Sequence, residues 1–197
     1  MAERDGMFER MLAVAAERLA GRDPEALAAR AGVRFDGAAF HLSTLGRETA
    51  VSWPEPAFDP PVDGWLRLLI LHYLDLADGT EPAGELIPFA GMKDGMVRGG
   101  GFDRRSETAL SALAERLGPE ELLRRCLALG GRELASNADL AAVIPLLPRF
   151  PVTVKLWLAD EDFPASGRLL ADASADHYLT IEDAVTAGGL LLEALGK

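Results

Sequence analysis

Residues Leu147 to Ser166 read "LPRFPVTVKLWLADEDFPAS". In this stretch Val152, Val154, Leu156 and Leu158 alternate with Thr153, Lys155 and Trp157. A period of two sends one set of side chains to a core and the other to the opposite face, which is a strand and not a helix. Pro148 and Pro151 suit the loop ahead of it, and Leu140 to Leu146 reads as an earlier strand that Pro145, having no N–H, places at a sheet edge. Asp160, Glu161 and Asp162 end the alternation in an acidic turn, with Phe163 and Pro164 expected to pin that turn against the body. A C-terminal antiparallel hairpin is therefore the element around which the rest is arranged.

Downstream, Thr180 and Asp183 have the spacing of a capping box for a last helix, in which Gly188 and Gly189 let a neighbour approach closely. Upstream, Leu110, Leu113, Ala114 and Leu117 mark an amphipathic helix. Gly118-Pro119-Glu120-Glu121 stops it and begins another, with Cys126 on its apolar side. Glu85 to Phe89 reads as a short strand. Val62 to Ala77 is apolar almost all round, with Arg67, His72 and Asp75 confined to one arc, as in a central helix with neighbours on most sides. "PEPAFDPP", Pro54 to Pro61, cannot enter a helix interior or continue a ladder and reads as an extended connector, a sub-boundary at 54–61. From Val33 to Trp53, turn signals at Asp36-Gly37 and Leu45-Gly46-Arg47 separate alternating segments, a small antiparallel meander. Residues 1–32 form a helical N-terminal segment: a first helix with Phe8, Met11, Leu12, Ala15 and Leu19 on one stripe, and a second framed by Asp23, Pro24 and Gly32. The expectation is one α+β domain, 1–197, with the meander and the C-terminal hairpin packed against the central helix and several amphipathic ones.

The chain has 197 residues, 49% hydrophobic and 26% charged, which is enough to bury a substantial core. Its formal net charge of -11 repels phosphate backbones and anionic lipid, which argues against nucleic acid and membrane as partners. The opening "MAERDGMFERMLAVAAERLAG" is amphipathic, unlike a signal peptide, and the longest apolar run, "WLRLLILHYLDLA", falls short of the ~20 residues a membrane span needs. One cysteine allows neither an internal disulfide nor a cysteine-built cluster. A cytoplasmic location is expected, and no cofactor is called for.

Two constellations are candidate sites. The first is "KDGMVRGGGFDRRSE", which gathers Lys93, Arg98, Arg104 and Arg105 around Gly99, Gly100 and Gly101 ahead of a helix. Read as a loop, it offers close backbone amides and a helix N-terminus to a phosphate or carboxylate. It lacks the Gly-Lys-Ser/Thr of a Walker A loop and the G-x-G-x-x-G fingerprint. The second is the C-terminal acidic set, Asp160, Asp162, Asp172 and Asp176 with His177, whose carboxylates beside an imidazole are the residue types of acid/base catalysis. For a metal the case is poor: there is no EF-hand spacing, and His41, His72 and His177 have no H-x-x-x-H or H-E-x-x-H relation. Cys126 on an apolar face reads as an inert thiol, and there is no G-x-S-x-G elbow.

"GFDRRSETAL", "LPRFPVTVKLWLADEDFPAS" and "ADHYLTIED", in this order from about Val33 to the C-terminus, resemble an uncharacterised bacterial and archaeal family, chiefly from anaerobes, known only as domain of unknown function 3786. The resemblance implies a fold unit with a structural corner at the acidic turn, followed by a short strand and a capped helix, and no established activity. Some relatives are marked by a cysteine-rich iron-sulfur segment ahead of the domain, which implies a link to corrinoid or one-carbon metabolism; this chain, with one cysteine and a helical start, departs from them there. The expected function is a binding or accessory module for a small anionic ligand or a protein partner, and the alternative is a carboxylate/His-dependent hydrolase or lyase that uses the C-terminal acidic cluster.

Overall fold

A computed structural model describes the backbone of residues 2–197 and side chains from Gly6 onward. Met1 and the side chains of residues 2–5, Glu3, Arg4 and Asp5 of the amphipathic opening among them, lie outside the described residues. The architecture is α+β: helices and two antiparallel sheets share one buried cluster.

Helix α1 (Ala2–Leu19) buries Leu12, Ala15 and Leu19. Helix α2 (Pro24–Ala31) begins with the Asp23 carboxylate accepting the Glu25 N–H and ends at Gly32, in the left-handed region at φ 65. Strands β1 (Arg34–Phe35), β2 (Ala39–Thr44), β3 (Arg47–Ser52) and β4 (Phe58–Asp59) form the first sheet in chain order. The expected meander is there, with Phe40, Leu42 and Val51 buried. The proline connector is more than a bridge, because β4 lies inside it and pairs Phe58 with Val51.

Helix α3 (Gly64–Leu76) is the central helix. Seven of its thirteen residues are buried, and α1 runs along one side of it. The second sheet has the order β5 (Leu86–Ile87), β9 (Ser166–Asp172), β8 (Phe150–Trp157), β7 (Leu140–Leu147), β6 (Arg132–Glu133). Strand β8 is its middle. Val152, Val154 and Leu156 point into the core beneath α4 (Gly95–Leu117), α5 (Pro119–Ala128) and α6 (Ile181–Gly196). Strand β7 is an edge only where Pro145 sits: β6 pairs with it at Ala142 and Val143, beyond which its outer side is open. Pro145 faces Pro151, and the register shifts immediately afterwards.

Two expectations are corrected. The segment from Lys93 to Arg105 is not a loop: α4 starts at Gly95 and runs through Gly99, Gly100 and Gly101 without interruption. The reason is packing. The first turns of α4 lie against a 3-10 turn at Phe89–Gly91, and a Cβ on Gly99 would stand 2.3 Å from the Phe89 carbonyl oxygen. Glycine in this place lets two backbones touch, and the helix tolerates its propensity cost because neighbouring turns are anchored. Phe102 is buried edge-on against Phe89, with ring centroids 4.7 Å apart, and the Asp103 carboxylate accepts the N–H groups of Phe89 and Ala90. Phe163, expected to pin the acidic turn, is instead 69% exposed.

Candidate functional site

The arc of polar residues on α3 opens onto a cleft of about 410 Å³. Trp65, Leu68, Leu69, His72, Asp75 and Leu76 recur at the three- and four-residue spacing of one helical face and form its floor. Met11 and Arg18 of α1 make one wall, the first turns of α6 the other, and Arg98 of α4 closes an end.

The charges in the cleft come in pairs. Asp75 is held by Arg18 Nε at 2.6 Å and by Arg22 Nη1 at 2.5 Å. His72 Nδ1 lies 2.9 Å from Asp183 Oδ1, and Thr180 Oγ1 donates to Asp183 Oδ2 at 2.8 Å. Arg98 Nε meets Glu182 at 2.8 Å. Asp183 is brought here by the capping box itself: its N–H donates to Thr180 Oγ1, which orients the first turn of α6 so that its carboxylate meets His72. With Nδ1 engaged, the imidazole's Nε2 has no hydrogen-bond partner among the described residues. The Asp75 and Asp183 carboxylates are well covered, 11% and 13% exposed, whereas Arg18 and Arg98 are 61% and 54% exposed and each uses only its Nε in these pairs. A guanidinium has five N–H donors, so both arginines keep unused donors in the cleft, where the one exposed carboxylate is that of Glu182.

Of the residues in the two candidate constellations read from sequence, Arg98 alone reaches this cleft. Arg104 and Arg105 stand on the outer side of α4 beside Gly101 and Thr108, about 10 Å further along the axis. The N–H groups of Gly99, Gly100 and Gly101 fall within the ladder of the helix. The Lys93 N–H is taken by the Asp176 carboxylate, at 3.0 and 2.9 Å. The C-terminal acidic set does not converge. Asp160 and Asp162 sit in an exposed turn beyond one end of β9, and Asp172, Asp176 and His177 lie at the other, about 20 Å away. Asp160 closes its own turn by accepting the N–H groups of Asp162 and Phe163. Asp172, 4% exposed, accepts from Ala83, Gly84 and Ser174 and so fastens the segment before β5. His177 Nδ1 bonds Asp78 at 2.6 Å. Among the described residues, no three His, Cys, Asp or Glu side chains are placed to hold a metal ion. Cys126 is fully buried, which pushes its thiol up to about 11.

The cleft was hidden from sequence because its members lie 111 residues apart, as His72 and Asp183 do. Two signals were nevertheless present: a polar arc on an otherwise apolar helix, and a capping box whose acidic member has a second oxygen to offer.

The fastening carboxylates make acid stability predictable. The hydrogen bond to His177, then those from Thr80, lower Asp78 to about 2 from an ordinary 3.8. For Asp172, burial opposes the charge, but hydrogen bonds from Ser174, Ala83 and Gly84 outweigh it and keep the carboxyl below its usual range. A carboxyl with a lower pKa folded than unfolded stabilises fully above its unfolded pKa and loses this as pH falls through the folded one. The urea midpoint should therefore hold steady down to about pH 4 and fall steeply toward about pH 2, with a shallower fall in Asp172→Asn. A midpoint that is flat across that window, or an Asp172→Asn slope equal to wild type, would show that these contacts do not fasten the fold.

No helix of the described residues is long and apolar enough to cross a membrane. No curated protein and no solved structure matches the chain. Residues 23–194 match the protein-family model described as Domain of unknown function (DUF3786). That match begins at the N-cap of α2, leaves α1 ahead of it, and ends in the last turn of α6. The chain belongs to the DUF3786 family.

Proposed function

We propose that the protein is a binding or accessory module that holds a small anionic molecule with an apolar body in the cleft along α3. The observation that carries this is the asymmetry of the charges. The carboxylates Asp75 and Asp183 are covered and fully engaged, while Arg18 and Arg98 keep open donors beside the apolar surface of Trp65, Met11 and Leu68. A carboxylate or phosphate would displace Glu182 from Arg98, and an aliphatic or aromatic body would cover Trp65. The anion-binding role expected of Lys93 to Arg105 thus rests on Arg98. An accessory role beside anaerobic one-carbon or corrinoid metalloenzymes, to which the family resemblance points, is part of the same proposal.

Trp65 is 48% exposed and reports on the cleft directly. With Trp53 and Trp157 replaced by Phe, its emission should respond to a panel of aromatic carboxylates and phosphorylated metabolites. A bound compound at about 100 times its dissociation constant should add about 2.7 kcal/mol to stability. Arg98→Ala should weaken binding about tenfold to a hundredfold, the equivalent of one charge-assisted hydrogen bond. If no anion in the panel changes either Trp65 emission or the melting temperature, the proposal fails.

One feature favours a second reading as a carboxylate/His-dependent hydrolase or lyase: His72, oriented by Asp183 and with no partner on Nε2 among the described residues, has the arrangement of a general base. On this reading the catalytic groups are His72 and Asp183, and His72→Gln would abolish turnover of a bound compound while leaving its affinity nearly unchanged.

A further inference from the structure

The second sheet carries two charged features that enter no ion pair among the described residues. Its face away from the helices presents Lys155 directly opposite Arg168 across β8 and β9. Arg132 lies two rows further on, in line with Val143, Thr153 and Leu170. None of these three cations belongs to an ion pair among the described residues, although the chain has 31 acidic residues against 20 basic ones. Like charges directly opposed on neighbouring strands destabilise a sheet. Next to them the face hollows into a depression of about 440 Å³ lined by Val143, Pro145, Pro151 and Thr153.

The second feature is the turn joining β8 to β9. It exposes Asp160, Glu161 and Asp162, none of them in an ion pair among the described residues, together with Leu158 at 39% and Phe163 at 69%. An acidic knob with an exposed phenylalanine thus stands at one end of a basic, partly apolar face.

We propose that the protein forms a two-fold symmetric dimer in which these open faces pack together and the acidic turn of each copy rests on the Lys155–Arg168 pair of the other. The geometry is self-complementary. Trp157 pairs with Ser166 in the last row of the β8–β9 ladder. Lys155 and Arg168 lie two residues, about 7 Å, to one side of that row, and the turn begins at a similar distance on the other side. A two-fold axis running across the strands along the row inverts position along the strands and preserves position across them. The turn between β8 and β9 is thereby carried over the cation pair on β8 and β9 of the second copy, and the return contact is identical. Phe163 moves from solvent toward the depression beside Val143 of that copy, and the half-buried Trp157 comes to the axis. The dimer offsets the like-charge repulsion in the monomer with six carboxylates, three from each turn. It involves none of the residues lining the cleft along α3, so it stands or falls independently of the ligand proposed there.

Sedimentation equilibrium of the full chain at low salt tests this. Wild type should dimerise, and the dimer should weaken as salt is added. Reversing the face (Lys155→Glu with Arg168→Glu) or the turn (Glu161→Lys with Asp162→Lys) should each weaken self-association about a hundredfold. An equimolar mixture of the two reversed proteins should restore a dimer, now with one copy of each, because every turn again meets a face of opposite sign. Neutral replacement (Lys155→Gln with Arg168→Gln) should give a smaller loss of the same sign, which keeps the comparison available if reversal disturbs the strands. A wild type that stays monomeric at concentrations on the order of 100 µM overturns the proposal. So does a dimer indifferent to both reversals, or a mixture that stays monomeric while both reversed proteins are folded by circular dichroism.

Discussion

Gly99→Ala should destabilise the protein by about 3 kcal/mol or more, whereas Gly100→Ala, one residue further along, should stabilise it by up to about 1 kcal/mol. A Cβ on Gly99 would lie 2.3 Å from the Phe89 carbonyl oxygen, 2.4 Å from its carbon and 2.7 Å from the Ala90 nitrogen. All three are backbone atoms, so no side-chain rotation relieves the overlap. Relief requires moving the 3-10 turn away from α4, which also breaks the two hydrogen bonds to Asp103 and the Phe89–Phe102 contact. At Gly100 the nearest atom to a new Cβ is the Ala90 methyl at 3.8 Å, an ordinary contact, and alanine is the better helix former. Urea denaturation of the two variants decides the matter. Equal and small effects would mean that the glycines belong to a loop, as the sequence reading held, and not to a helix packed on a turn.

Tyr73→Phe should cost about 3 kcal/mol through the loss of one oxygen atom. The phenol, fully buried, donates to the Ala31 carbonyl at 2.5 Å and accepts the Arg149 N–H at 2.9 Å. Burial raises the pKa of this hydroxyl, and the Arg149 hydrogen bond offsets only part of the rise, so it remains a neutral donor. It joins the end of α2, the last turn of α3 and the β7–β8 turn, and its ring stacks on Tyr178 at 5.5 Å. Phenylalanine would keep the stack and strand a carbonyl and an N–H in the interior, at about 1–3 kcal/mol each. For a chain of this size that corresponds to a melting temperature lower by about 6–12 °C, readable by calorimetry. Tyr178→Phe, which frees the Thr80 carbonyl and an Arg149 guanidinium that keeps the Gly79 carbonyl and Glu81 as partners, should cost distinctly less. Equal losses in the two variants would remove Tyr73 from its place as the junction.

Local signals gave direct access to the elements. The alternation from Val152 to Leu156 is strand β8, Asp23-Pro24 and Gly32 frame α2, Thr180 with Asp183 begins α6, and the apolar run of α3 is the central helix. Each of these depends on residues within a few positions of one another, where periodicity and capping chemistry act. The misreadings share a different cause. Three consecutive glycines mean a flexible loop unless another backbone is pressed against them, and the Phe89–Gly91 turn that does so is not marked as a contact by any residue in the glycine segment. Acidic residues close in sequence looked like one cluster, but β9 separates them by its own length.

What the sequence by itself determined was therefore the class of fold, its elements and the sign of its long-range field, since these depend on local periodicity, turn chemistry and summed charge. What only the tertiary structure decided was convergence. It set His72 against Asp183 and Arg98 against Glu182, and it gathered Trp65, Met11 and Arg18 around one cleft. It also left Lys155 and Arg168 side by side without a counter-ion among the described residues. The physical reason is that a site is a relation between side chains far apart in the chain. That relation is set by how sheets and helices pack, and packing is decided by the whole buried interior and not by the residues that happen to face the cleft.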